Sequence, residues 1–452
     1  MSQDFRAPAH GGTTHRFAAR RVIHALLWSA LALGVFAHAA DAPLSLSEAQ
    51  RIAAERSRQL AAQDSAVAAS REMAVAAGQL PDPVLKLGVE NLPADGPDRF
   101  TLGQDFMTMR RIGVMQEFTR GEKRKLRAER FERETERTAA EKAATLAGIQ
   151  RDTALAWLDR YYAEAMSAVI AEQIKESRLE IEAAESAYRA GRGGQADVFT
   201  ARGALAALDD RASEFGRRIR TAITALVRWV GVTADAPLAG KPALDSIRVD
   251  AQALDAQLAH HPQIAMLEKQ EEIAAADVKL ARANRSADWS LEASYSQRGP
   301  AFSNMVSVGV SIPLQWDQKN RQDREVAAKL AMAEQAKAQR DEALRAHVAE
   351  VRAMIYEWEN GRERIARYQR ELVPLASERT RAALAAYRGG RSNLADVLAA
   401  RRNELDIRLQ ALQLEMDTAR WWAQLNFLTP ADTTGRAAGA TTPAMNSMKE
   451  PQ

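Results

Sequence analysis

The sequence predicts a mainly α-helical chain with a β-barrel portion, built from long coiled-coil-like hairpins, an internal duplication and four membrane-spanning β-strands. Three observations carry that prediction. Residues 187–202 read AYRAGRGGQADVFTAR and residues 386–401 read AYRGGRSNLADVLAAR, identical at ten of sixteen positions with an offset of 199. An internal repeat of this kind outranks most other signals in a sequence. The residues ahead of the first copy, from Thr119 on, run for about 70 positions without a proline, and glycine interrupts the run between Glu122 and Ala190 only at Gly148. Four short segments alternate apolar and polar residues with period two, the mark of strands.

Composition agrees with this class. The chain has 452 residues, 46% hydrophobic and 27% charged, with only 6% aromatic. Such a mixture favours long helices packed through narrow seams over a thick globular core. The net charge is +3, but residues 1–39 hold Arg6, Arg16, Arg20, Arg21 and Asp4. Without them 58 basic and 58 acidic residues remain. A neutral mature chain gives no electrostatic reason to expect a nucleic-acid partner. Zero cysteines exclude disulfides and a lipid carried on cysteine.

Residues 1–39 read as a cleaved secretory signal. Arg20 and Arg21 precede an apolar run over 22–36, and Ala37-His38-Ala39 supplies a small-x-small cleavage site. A membrane-anchor helix is the alternative, although the run is short for a span of about 20 residues. No later stretch is long and apolar enough to be a transmembrane helix.

The first mature helix is expected from about Ser45 to Gly78, with Ser47 and Glu48 at its start and Pro81-Asp82-Pro83 behind it. Residues 84–90 then alternate: Leu85, Leu87 and Val89 face one way, Lys86, Gly88 and Glu90 the other. A loop over 91–109 leads to a second strand at 111–118. The long run follows, on the order of 100 Å at 1.5 Å per residue. Its seam is thin and alanine-rich (Ala139, Ala143, Leu146, Ile149, Ala154, Trp157, Leu158). Beyond the tip a return helix spans about 195–230 and stops at Gly231, with Pro237 and Pro242 in a connector. The same order then recurs: a helix over 250–284 with Pro262 near its start, strands at 289–296 and 306–313, a long helix over 318–387, a turn at Gly389-Gly390 and a helix over 393–427. The expected organisation is signal 1–39, first repeat 40–240, second repeat 241–428 and a disordered, Thr/Ala/Gly-rich tail 429–452.

Four strands leave two open edges, and their apolar faces have few helical partners in sequence. Strands of about 8–11 residues with one apolar and one small or polar face fit a transmembrane barrel. Lipid cannot satisfy edge N–H and C=O groups, so such a barrel must close. Four strands cannot close a pore, and several protomers must each donate a part. A small soluble sheet capping the helices is the plainer alternative.

With the duplicated order, the matching strand-to-helix junctions (IGVMQEFTRGEK at 112–123, VGVSIPLQWDQK at 308–319) and the paired Tyr-x-x-Gly…Asp-Val tips, the chain resembles the TolC-like outer-membrane efflux family over about 43–428. The resemblance implies a homotrimer, whose three chains supply a twelve-stranded barrel in outer-membrane lipid and a long α-helical tunnel through the periplasm. It implies passive conduction, with a periplasmic adaptor (membrane fusion) protein and an inner-membrane RND-type pump as partners. Residues 81–93 and 107–118 resemble members tied to heavy-metal efflux. Drug efflux and type I protein secretion use the same architecture, and a non-conducting periplasmic scaffold is a third reading.

The resemblance also implies site residues. Asp197 falls where the family places a gating carboxylate, and Tyr387 matches the tyrosine that bonds it. Asp396 matches an acidic ring at the aperture. A basic residue five after the tyrosine completes the lock in some relatives; Ser392 stands here, beside Arg391. A second carboxylate ring three residues after Asp396 is replaced by Ala399. From physics alone, three carboxylates around one narrow axis attract cations. Both aspartates also suit helix starts, so capping is an equally direct reading. Gly191 and Gly390 read as left-handed turn residues, and Arg192 and Arg391 as adaptor contacts.

Enzyme chemistry fails on inventory. Of seven histidines, four lie in the signal; His260-His261 adjoin Pro262, and His347 stands alone in a helix. None has ligand spacing, and there is no phosphate loop, so no catalytic, metal or cofactor site is expected. Gly191-Arg192-Gly193-Gly194 is a turn rather than an RNA-binding RGG. Met107, Met109 and Met115 could suggest a soft metal, but apolar lining explains them more simply.

Overall fold

A computed structural model describes residues 43–431; the signal at 1–39 and most of the tail at 429–452 lie outside the described residues. The described residues are mainly helical, with one small antiparallel sheet. Helix α3, Gly121–Arg189, is 69 residues long. Nothing in it breaks the hydrogen-bond ladder, and its interior lacks proline. Around it lie α1 (Leu46–Arg56), α2 (Arg58–Ala77), α4 (Gln195–Val230), α5 (Leu254–Ala259), α6 (Pro262–Ala283), α7 (Gln322–Arg367), α8 (Val373–Arg388) and α9 (Leu394–Asn426). Of these, α1, α2, α4, α6 and α9 pack directly on α3. The buried stripe of α3 includes Ala147, Ile149, Ala154, Trp157, Leu158 and Tyr162. Ala139 is exposed and Thr138 is buried in its place. The main core gathers Trp157, Tyr162, Leu226, Val230, Val351, Ile355 and Leu425. Indole N–H groups pin the connecting segments to it: Trp157 donates to the Leu44 carbonyl at 3.0 Å, Trp358 to Leu244 at 3.2 Å and Trp422 to Ser246 at 2.9 Å.

Three expected helices are interrupted. The first breaks at Ser57, whose extended backbone (φ −68°, ψ 113°) ends α1 and whose hydroxyl caps α2 through the Leu60 N–H. The helix expected over 250–284 is two, α5 and α6. Pro262 occupies the first position of α6 and holds His261 extended (φ −63°, ψ 139°), because a residue before proline avoids the helical region. The helix expected over 318–387 starts at Gln322 and is split by a π-helical turn, Tyr368–Leu372, just ahead of Pro374. Proline removes one N–H and clashes with the preceding turn, and the wider π turn accommodates both.

His347 is not alone. Its ring lies 4.4 Å from that of His261, and its Nδ1 is 3.5 Å from Glu350. His261 is buried, and its Nδ1 accepts from the Gln263 N–H at 3.3 Å to cap α6. Burial, with His347 beside it, pushes its pKa down to about 4.

The strands β1 (Val84–Glu90), β2 (Met109–Phe118), β3 (Trp289–Gln297) and β4 (Met305–Ser311) form one antiparallel sheet in the order β1-β2-β3-β4. β2 begins two residues before its expected start, and β4 ends before Ile312 and Pro313. Pairings such as Leu87↔Ile112, Ile112↔Tyr295 and Tyr295↔Val306 put apolar side chains on one face. That face is open in the single chain: Leu87 is 70% exposed, Val306 75% and Val308 70%. The opposite face carries Lys86, Glu90, Arg111, Glu292, Ser294 and Ser296. Lys86 bonds Glu292 across β2 at 2.6 Å, and Arg111 bonds both Glu90 and Glu292. At the base Phe118 stacks on Trp289, centroids 4.4 Å apart. There Lys123, near the start of α3, pairs with Asp288 at 2.8 Å and ties helix to sheet.

Two outcomes follow. A Cβ at the buried Gly361 of α7 would lie 2.3 Å from the Thr418 hydroxyl of α9, so Gly361→Ala should cost about 1–3 kcal/mol through overpacking. Thermal melts should show part of that loss restored when Thr418→Ala is added. The folded pKa of His261 lies below the ordinary histidine value of 6.5. Its contribution is therefore complete above that value and is lost as pH falls toward 4. His261→Asn should flatten the melting temperature against pH across this window.

Candidate functional site: the paired helical tips

Both tips end their first helix in the same way. Gly191 and Gly390 have φ of 66° and 69°, the left-handed region that glycine enters without steric cost. In the first tip the Arg192 N–H donates to the Ala187 carbonyl at 2.9 Å and the Gly191 N–H to Tyr188 at 3.0 Å. In the second, Arg391 donates to Ala386 and Gly390 to Tyr387, each at 2.9 Å. This pair of bonds is a Schellman motif, which satisfies carbonyls that a helix end would otherwise leave open.

Both aspartates bond the residue that starts the returning helix, reciprocally only in the second tip. The Asp197 carboxylate accepts from the Gly194 N–H at 3.0 Å. Asn393 caps α9 by accepting from the Asp396 N–H at 2.9 Å, and Asp396 accepts in return from the Asn393 N–H at 3.4 Å. Capping is therefore a role both aspartates have in the single chain. A carboxylate has about four acceptor sites, and one N–H leaves the rest of each free for a partner.

Other residues of the site are arranged less closely. Tyr387 is half-buried against the tip cluster of Ala184, Val198, Leu394 and Val397. Among the described residues its hydroxyl makes no hydrogen bond to Asp197. The Ser392 hydroxyl is buried without a partner. Arg192 and Arg391 are exposed, as are Arg189, Arg388 and Ala399. Four arginines against two aspartates make the outer surface of the tips basic, which the carboxylates alone did not suggest. The copies also differ in a way the sequence reading passed over. Tyr188 is 48% and Phe199 60% exposed in the first tip, whereas their counterparts Tyr387 and Leu398 pack inward in the second.

The methionines do not assemble. Met107 is exposed in the loop before β2, while Met109 and Met115 sit near opposite ends of β2. Among the described residues no group of three His, Cys, Asp or Glu side chains could hold a metal ion. No described helix is long and apolar enough to cross a membrane.

Residues 253–430 match the family model of the outer membrane efflux protein. No curated protein matches the sequence. Among solved structures, the outer-membrane channel OprN superposes with a TM-score of 0.73 at 18% identity, covering 86% of this chain and 90% of that one. The outer membrane protein VceC of Vibrio cholerae gives 0.70 at 19% identity, covering 85% and 95%. CusC, described as forming a transmembrane channel, gives 0.71 at 16%, covering 85% and 92%. The second half thus carries the signature of the outer membrane efflux protein family, and the fold of these solved channels extends over about 85% of the chain.

Proposed function

We propose that this protein is an outer-membrane efflux channel, the outlet duct of a tripartite pump, and works as a homotrimer. The observation that carries the reading is the sheet. One face is apolar and open, the other is polar and braced by ion pairs, and among the described residues β1 and β4 each present an edge without a partner strand. Those edges must be paired before the sheet can enter lipid. Three chains, each giving four strands, close a twelve-stranded barrel, with the long helices below it as a periplasmic tunnel. The inner-membrane RND-type pump and a periplasmic adaptor supply energy and substrate, and the duct conducts passively.

At the tips, Asp197, Tyr387, Asp396 and Ser392 form the aperture. Tyr387 and Asp197 make no bond in the single chain, and the proposed gate has them bond in the closed trimer. Gly191, Arg192, Gly390 and Arg391 present the turn and its basic flank to the adaptor. Heavy-metal cations are the proposed cargo, on the resemblance of residues 81–93 and 107–118; drugs or secreted proteins are the alternative cargoes.

Asp197→Ala combined with Tyr387→Phe should make cells leakier to solutes the size of vancomycin. Unchanged permeability would count against these residues as a gate. Deletion of the protein should sensitise cells to heavy-metal salts; sensitisation to drugs alone would redirect the cargo assignment. Absence of any ion current from purified protein in a planar bilayer would instead favour a non-conducting scaffold.

A further inference from the structure

Helices α3, α4 and α9 leave a cleft of about 650 Å³ between them. That volume lies in the range that holds small organic molecules. One wall is α3, where Gln173, Ser177 and Glu180 follow at i, i+4 and i+7 and so share one face. The other walls are small or apolar: Ala204 and Ala207 on α4, Leu398 and Leu405 on α9. Gly203 lines the cleft as well, and a Cβ built there would meet nothing within 4 Å. The duplication supplies an internal comparison. At the offset of 199, Gly203, Ala204 and Ala207 correspond to Arg402, Asn403 and Asp406, and Ser177 and Glu180 correspond to Ala376 and Arg379. The second copy thus has neither the small wall nor the acceptors opposite it.

The α3 wall is short of donors. Glu180 and Ser177 are only 7% and 2% exposed, and the Glu180 Oε2 and the Ser177 hydroxyl have no hydrogen-bond partner. The wall is also short of positive charge. Arg401 of α9 donates through Nε to Glu180 at 2.8 Å and through Nη2 to Glu176 at 2.9 Å, so one guanidinium serves two carboxylates. Arg211 on the cleft is taken up by Asp406 at 2.9 Å. Arg402 and Asp210, both exposed, offset each other in charge. Burial raises the pKa of Glu180 despite the arginine beside it. A buried acceptor without a donor costs stability until one reaches it. Neither free oxygen is open to solvent, and a turn of the Glu180 carboxylate or of the Ser177 hydroxyl presents it to the cleft.

We propose that this cleft is a binding site for an amphipathic primary amine, whose ammonium group donates to Glu180 and Ser177 and whose apolar body lies along Ala204, Ala207 and Leu405. An ammonium brings donors and the missing positive charge together, whereas water or a neutral guest brings donors alone. The site is a property of the hairpins themselves and does not depend on the channel reading above.

The test is calorimetric titration of the purified full-length protein with tryptamine, and with tryptophol as its neutral counterpart. Tryptamine should bind saturably at a single site per chain, and tryptophol about tenfold more weakly or worse. Glu180→Gln, which removes the charge and keeps the shape, should weaken tryptamine about tenfold. Gly203→Leu should weaken it as much by filling the cleft, and it replaces a helix-interior glycine with a better helix former. The site is overturned if wild type takes up no tryptamine saturably, if tryptophol binds equally well, or if either folded variant binds as wild type does. Should Glu180→Gln fail to fold, Gly203→Leu decides: wild-type affinity overturns the site and weakened binding supports it. A protein that passes ion current in a planar bilayer but binds no tryptamine would overturn the site and leave the channel reading standing.

Discussion

The molecule depends on one seam. Over the 69 residues of α3, small and apolar side chains must stay on the faces that meet α1, α2, α4, α6 and α9. Any insertion would rotate the stripe by about 100° per residue and strand it in water. Trp157 fixes the middle of the seam, fully buried and bonded to the Leu44 carbonyl. From there to Arg189 is roughly 50 Å of unbroken helix. The tip is thus placed by rigidity: few contacts surround it, but it is the end of a rod whose middle is clamped.

The two hairpins answer that constraint differently. The first is built of two continuous helices, α3 and α4. The second pairs a continuous α9 with a strand of helix broken into α7, the π turn and α8. Related tips are therefore mounted on arms of different continuity. The apolar clusters follow the same division. One sits at the tips around Val198 and Val397, another midway around Met166, Phe215 and Leu405, and the largest near the connector. Between clusters the hairpins meet mainly through charged side chains, which can exchange partners with water more readily than a packed core can.

The sequence made the long elements plain because breakers are conspicuous by their scarcity. It made the tips plain because they occur twice. The strands were legible from alternation, to within two residues at each end. The interruptions were less so, for separate reasons. Pro262 and Pro374 were in view, and each forbids an ordinary helix one turn earlier, but the apolar pattern on either side keeps nearly the same phase and hides the break. Ser57 carries no such flag, since a serine can stand inside a helix as readily as cap one. The pairing of His261 with His347 and of Arg401 with Glu180 joins residues from separate elements, and no local pattern encodes it. Tyr387 shows the opposite limit: its place in the motif is clear, yet within one chain it packs on apolar neighbours and does not meet Asp197.

In the barrel proposed above, strand length would bear on which bilayer suits the protein. β4 has seven residues, which extend about 23 Å at 3.3 Å each. Inclined at roughly 40° in that barrel, this length would subtend about 18 Å, and the exposed Ile312 and Leu314 just beyond β4 would extend the apolar belt. Acyl chains longer than that belt must compress or leave polar backbone rims in oil, at a cost for every ångström of mismatch. In the proposed barrel, strand length would thus favour a thin bilayer over a thicker one, before any receptor or chaperone reads the sequence.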